Sequence, residues 1–249
     1  PKPEFDPRAE VAKFEDQLAG VQKQLGDVEL VGGELVATAE EAARLAGGLK
    51  DADGVLLIHL SLGTIGALQA IVEADRPTVV FSQPFSGHEW MFLNAWRKAG
   101  RRLVTLATRD LGELGKGVAL LKVPGQMRQS RLIVVGAPDG TPAARSAEQV
   151  RERLGVEVVS VSVPKLIEAH RGVDAKAAEA DAESWVRKAK RVIEPSREEI
   201  VKSSRMYLAM RELMKAENAQ AITIRCLGGI PIDVLGYPCL GFARLLDAG

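Results

Sequence analysis

The chain has 249 residues, enough for one large domain or two smaller ones, and 46% of them are apolar. Its 33 basic and 33 acidic residues cancel and are interspersed, so we expect no nucleic-acid partner. The apolar runs are too short for a membrane span, no signal peptide is recognised, and two cysteines make no disulfide framework. These features predict a cytoplasmic protein that has no membrane partner.

Helical and extended segments alternate from the start of the chain. An amphipathic helix is predicted over 8–24, and a short strand over DVELVG (27–32). The next helix opens with a capping box, in which Thr38 bonds the amide of Glu41 and Glu41 reaches back. The apolar run GVLLIHL (54–60) then predicts a strand that is buried on both faces of a parallel sheet.

The strand–helix unit then repeats at roughly 25-residue spacing, which is typical of crossover connections in a parallel sheet. We predict neighbouring parallel strands at 54–60, 77–81, 102–106 and 131–136, with helices on both faces. The intervening helices are predicted at 63–74, 88–99, 111–122 and 144–154. Residues 1–163 are therefore interpreted as a doubly wound, Rossmann-like or flavodoxin-like N-terminal domain of the α/β class.

The pattern changes at Pro164, where three helical stretches follow one another without a strand between them. The third of these helices begins with a capping box formed by Ser196 and Glu199. The strand AITIRC comes next and begins a new sheet. Residues 164–249 are interpreted as a helical connector followed by an incomplete second α/β domain.

The segment FSQPFSGHEW (81–90) leaves a predicted strand at its carboxyl end, where ligands gather in open parallel sheets. It carries His88, Glu89 and Trp90, in a chain with only three His and three Trp. A Trp face suits the C–H face of a sugar, while His and Glu can bond its hydroxyls. The alternative is structural, with Trp90 packed under the loop and His88 capping the helix.

Two other features near the predicted strands have structural explanations beside functional ones. The glycines of SLGTIGA (61–67) leave amides that could hold an anion at a helix start, although tight strand–helix packing explains them more simply. His59 lies inside a strand and is expected to be a core residue whose hydrogen bonds are satisfied.

The tail AITIRCLGGIPIDVLGYPC (221–239) forms a second candidate site. Arg225 stands at the end of the predicted strand, where it could bind hydroxyls or a carboxylate. Asp233 follows in a loop rich in glycine and proline, and a single carboxylate is too few for a tight divalent-metal site. Asp233 could equally cap a turn.

This tail, with its AITIRC…PCLGFARLLDAG pattern, resembles the L-fucose isomerase and L-arabinose isomerase superfamily, especially its L-fucose isomerase-like members. The segments PEFDPRAEVA and IEPSREEIVKSSRMYLAM are similar to other parts of that group. The resemblance implies that a Cys-Glu-x-Asp segment follows Gly249, and that this chain is part of a longer protein whose third domain is absent here.

The resemblance further implies a sugar ketol isomerase, an intramolecular oxidoreductase that interconverts aldoses and ketoses through a metal-bound cis-enediol. Its Mn²⁺ is held by two carboxylates and a histidine, and Asp233 is the candidate ligand in this chain. In a homo-oligomer, His88 and Trp90 would reach the monosaccharide in a neighbouring subunit, and Arg225 would contribute to substrate binding. The alternative is a non-catalytic sugar- or phosphate-binding α/β module.

Overall fold

A computed structural model of the chain describes residues 6–83, 89–138, 140–141 and 146–248. The chain divides into two compact units, Pro1–Gln126 and Met127–Gly249. Each unit contains its own three-stranded sheet. All strand pairings in both sheets are parallel. The predicted α/β class is therefore confirmed.

Helices and strands alternate in the first unit. In chain order they are α1 (Pro7–Leu25), α2 (Ala39–Gly48), β1 (Val55–His59), α3 (Ile65–Glu73), β2 (Thr78–Ser82), α4 (Trp90–Lys98), β3 (Leu103–Ala107) and α5 (Glu113–Gln129), which ends beyond the unit boundary. The Thr38–Glu41 capping box at the start of α2 is present as predicted.

The sheet of the first unit has the order β1-β2-β3, and β2 is buried along its whole length. Alternate residues of a strand face opposite sides of the sheet. Val80 packs against Val72 of α3 and Leu93 of α4, while its neighbour Phe81 packs against Phe14 of α1 and Leu114 of α5. Helices thus cover both faces, and the carboxyl ends of three parallel strands meet at one edge.

The second unit begins with a strand and ends with helices. Its elements are β4 (Arg131–Val135), α6 (Ala147–Leu154), β5 (Glu157–Val161), α7 (Val163–Gly172), α8 (Ala175–Lys188), α9 (Arg197–Ala216), β6 (Ala221–Ile224), α10 (Ile232–Leu235) and α11 (Cys239–Ala248). The three successive helices α7 to α9 and the Ser196–Glu199 capping box agree with the sequence prediction.

The sheet of the second unit has the order β5-β4-β6, so β4 lies between a strand that follows it directly and one from the tail. Its core is one cluster, in which Ile133, Val135 and Ile224 of the sheet pack with Met206 and Met210 of α9. Helix α11 comes close to α9 because Gly241 has no side chain: a Cβ there would lie 2.8 Å from Met210 Sδ.

The structure corrects the prediction that residues 131–136 form the fourth strand of the first sheet. β4 pairs with β5 and β6 and so belongs to the second sheet. In this register, Ile133 lies opposite Val159 of β5 and Ile222 of β6. The compact units accordingly divide after Gln126 rather than after residue 163. An apolar run identifies a strand but carries no information about which strand it pairs with.

The predicted strand DVELVG (27–32) is also wrong, since residues 27–37 have no regular secondary structure. Side chains hold this segment instead: the Asp27 carboxylate accepts from Lys122 Nζ at 2.6 Å, and Gln22 Oε1 accepts from the amide of Leu30 at 2.6 Å. Gly32 and Gly33 both have positive φ, which turns the chain away from an extended course.

Across the residues that the structure describes, no helix is both long and apolar enough to cross a membrane.

Candidate functional site at the carboxyl ends of the strands

A buried contact between a histidine and a glutamate joins the end of β1 to the start of α4 in the first unit. His59 is the last residue of β1, and Glu89 lies between β2 and α4. The ring nitrogen Nε2 of His59 is 2.5 Å from Oε2 of Glu89. The two residues are only 3% and 7% exposed, so neither can reach a ligand on the surface.

Thr64, just before α3, completes this cluster. Its backbone amide donates to Oε1 of Glu89 at 2.9 Å, and its hydroxyl lies 3.1 Å from His59 Nε2. The same hydroxyl is 3.2 Å from the carbonyl oxygen of Ser61, to which it donates. The cluster of His59, Thr64 and Glu89, which we call the edge cluster, thereby links the end of β1 to the starts of α3 and α4.

The edge cluster decides between the two explanations of SLGTIGA. Glu89 already brings a carboxylate to the amide of Thr64, and a second anion placed beside it would be repelled. Gly66 instead serves packing, since a Cβ there would lie 3.3 Å from the Cβ of Ala39 in α2. Gly63 adopts φ of 80° and turns the chain between β1 and α3. The structural explanation, tight packing, is the one that the geometry supports.

Trp90, the first residue of α4, follows the edge cluster directly. Its side chain is 60% exposed, so the alternative in which it packs under the loop is wrong. Met91 and Phe92 beside it are also exposed, at 68% and 45%. An open indole face held at the carboxyl edge of a sheet is suited to an apolar ligand surface. His88, the other predicted residue of this loop, lies outside the described residues.

The predicted residues of the tail lie in the second unit. Arg225 follows β6 and is exposed, and its amide donates to the carbonyl oxygen of Val135 at 3.3 Å. Gly229 lies so close to Arg225 that a Cβ added to the glycine would overlap the backbone oxygen of Arg225. The tail loop therefore presents Arg225 at the carboxyl end of the second sheet.

Asp233 is exposed and lies in the first turn of α10, where a negative charge suits the helix dipole. The residue that caps α10 is Pro231, so Asp233 is not the N-cap residue of this turn. Its backbone oxygen accepts from Lys202 Nζ at 3.4 Å. Neither cysteine is in a disulfide: Cys226 is half-buried and Cys239 is exposed.

The described residues do not fit a Mn²⁺ ion by themselves. Within these ranges, no group of three or more His, Cys, Asp or Glu side chains is placed to hold a metal. A divalent cation of this kind takes several oxygen or nitrogen ligands, whereas Asp233 offers one carboxylate.

The contacts within the edge cluster are the part of this site that sequence reasoning missed. His59 is buried, as predicted, and its partners are now known to be Glu89 and Thr64. The sequence did contain a signal for this contact. A histidine, His59, ends an apolar strand, and a polar residue, Glu89, stands at the start of the helix that follows the next strand. The sequence alone could not show that the two loops meet.

Comparisons with known proteins assign no family. No family model matches the chain, and no curated protein matches it. Among solved structures, it is similar to the processed form of threonine deaminase isoform 2 from Solanum lycopersicum, with 11% identity and a TM-score of 0.21. That match covers 99% of this chain and 95% of the other. A TM-score this low carries no argument about fold or function.

Proposed function

We propose that the protein is a sugar ketol isomerase, and that the carboxyl edge of its first sheet takes part in binding the monosaccharide. The observation that carries this proposal is the exposed indole of Trp90, anchored next to the buried edge cluster. The resemblance of the tail to L-fucose isomerase-like proteins supplies the reaction type.

Trp90 suits a sugar because its ring can lie against the C–H face of a pyranose or an open-chain aldose. Such contacts rely on apolar area and on a ring that is already in place before the ligand arrives. Glu89 precedes Trp90 and is fixed by two partners, His59 and Thr64. The edge cluster therefore holds the start of α4, and with it the backbone that carries the indole.

The same burial limits what the edge cluster can do. Isomerisation moves a proton between adjacent carbons, and its base must come within hydrogen-bond reach of that proton. His59 and Glu89 are too buried to make this contact, so we assign them a positioning role. Asp233 is proposed only as one candidate ligand of the Mn²⁺ that the family resemblance implies.

Two finer statements belong to the same proposal. We propose a cytoplasmic protein, and a homo-oligomer in which the exposed apolar side chains Trp90, Met91 and Phe92 face a neighbouring subunit. Sedimentation of the intact protein at micromolar concentration should show at least a dimer. A monomer would contradict this assembly, while leaving sugar binding open to its own test.

The activity is tested by incubating the intact protein with a panel of aldopentoses and aldohexoses, with and without Mn²⁺. Ketose formation is followed by NMR, and sugar binding is followed separately by ligand-observed NMR. Ketose that forms only with Mn²⁺ supports the proposal. Binding without any ketose supports the alternative of a non-catalytic sugar-binding module. Failure to bind any of the sugars would overturn both.

A further inference from the structure

Helix α8 of the second unit ends in a strongly basic segment. Four basic residues stand close together there: Arg187, Lys188, Lys190 and Arg191. All four are exposed. Glu194 is the one acidic residue of 184–194, so this stretch, with four basic residues and one acidic residue, carries a net charge of +3. Like charges this close repel one another, and an anion beside them removes that repulsion.

The carboxylates just upstream are not available to balance this charge. Asp181 forms an ion pair with Arg244, and Glu183 forms one with Arg197 at 3.0 Å. Among the described residues, none of the four basic side chains at the end of α8 forms an ion pair or a hydrogen bond. Their charged groups are therefore open to a ligand from outside the chain.

The end of the basic segment forms an open groove. Its volume is about 420 Å³, and it is lined by Lys190, Arg191 and Ile193. Small-molecule sites typically occupy about 300–1,000 Å³. The backbone has left the helix here, since α8 ends at Lys188 and Ala189 is extended. The amides of Lys190 and Arg191 have no acceptor in the part of the chain that the structure describes, so they add two donors to this loop.

The chemistry of the groove matches a phosphate group. Its described lining contains an ammonium, a guanidinium and an apolar side chain, and no carboxylate. A guanidinium presents a planar fork that fits two phosphate oxygens, and an ammonium adds a compact positive charge. Ile193, which is 69% exposed, offers a surface for carbon atoms next to the phosphate. We propose that this groove binds a small organic phosphate, with Lys190 and Arg191 on the phosphate and Ile193 against the carbon skeleton.

The inference does not rest on the proposed isomerase activity, and its probe keeps the two apart. Glycerol 3-phosphate has no carbonyl group, so it cannot be an aldose substrate, and glycerol is its neutral counterpart. Isothermal titration calorimetry of the wild-type chain should show binding of glycerol 3-phosphate that weakens as salt is added, and no binding of glycerol. Absence of binding to glycerol 3-phosphate would overturn the proposal. Binding only to vesicles that contain phosphatidylserine would also overturn it, because the groove would then take a lipid headgroup.

Variants of the groove test where the phosphate binds. The double variant Lys190→Met, Arg191→Met should raise Kd for glycerol 3-phosphate about tenfold or more. Arg191→Lys keeps the charge but loses the fork, so it should raise Kd by a smaller factor. The matched control is Arg8→Met, Lys23→Met, which removes the same charge from exposed positions of the first unit and should leave Kd unchanged. An equal rise in both double variants would mean that net charge alone attracts the phosphate, and would overturn the groove as its site.

Discussion

Oε2 of Glu89 lies 2.5 Å from Nε2 of His59, and this buried pair joins the carboxyl end of β1 to the start of α4. Ligands in parallel α/β sheets bind at such an edge. Here His59, Thr64 and Glu89 contact one another, and the exposed Trp90 follows Glu89 directly. The pair therefore acts as a rigid support under a candidate binding surface.

Removal of Glu89 should destabilise the first unit. Glu89→Ala leaves His59 and the amide of Thr64 without their acceptor in a buried place, so we expect a loss of about 3–5 kcal/mol in the free energy of unfolding. Glu89→Gln keeps one acceptor oxygen and should cost less, about 1–3 kcal/mol. Urea denaturation followed by circular dichroism measures both.

Glu40→Gln is the matched control for these variants, because Glu40 is an exposed glutamate in the first turn of α2. We expect it to change the free energy of unfolding by less than about 0.5 kcal/mol. Equal free energies of unfolding for the Glu89→Ala and Glu40→Gln chains would show that the edge cluster does not stabilise the first unit.

His170 should make the second unit sensitive to mild acid. Burial of the ring, and then the positive charge of Arg205, hold the pKa of His170 below its ordinary value of 6.5. The unfolded chain takes up a proton near pH 6.5 while the folded chain resists it, so protons favour unfolding as the pH falls below that value. Above it both states are neutral, and the stability contribution of His170 is fully present.

Thermal unfolding between pH 7.5 and 5.5 checks this behaviour. The melting temperature of the wild-type chain should fall over that range, and His170→Gln, which cannot titrate, should flatten the fall. The same slope in both chains would assign the acid sensitivity to other groups.

Asp233→Asn distinguishes a metal ligand from a surface carboxylate. If Asp233 is one of several ligands, the variant should lower Mn²⁺ affinity and kcat together, whereas a lone exposed carboxylate would change neither quantity. Titration calorimetry and turnover measurements report the two quantities, and unchanged values would remove Asp233 from the proposed site.

Local sequence signals predicted most elements of the fold. The fully buried run at β2 was identified by its apolar residues, and both capping boxes were identified by a hydroxyl residue three positions before a glutamate. These features depend on residues that are close in sequence, so their physical causes can be recognised there.

The parts that could not be predicted depend on residues far apart in the chain. The pairing of β4 with β6 brings Ile133 to Ile222, and nothing in either strand specifies that partner. The contact of His59 with Glu89 likewise depends on how two loops meet. Trp90 was identified as a candidate, but only the structure shows that its side chain is exposed rather than packed.

The central claim is that Trp90 binds sugar, and the KM of the Trp90→Ala variant tests it most directly. The indole supplies the same contact to ground and transition states, so its removal should raise KM and leave kcat nearly unchanged. We expect Trp90→Ala to lose about 1–3 kcal/mol of binding free energy, which is roughly a fivefold to hundredfold rise in KM. Trp90→Phe retains an aromatic ring, so its KM should stay close to that of the wild-type chain. An unchanged KM for every aldose, together with a lowered melting temperature, would contradict the account.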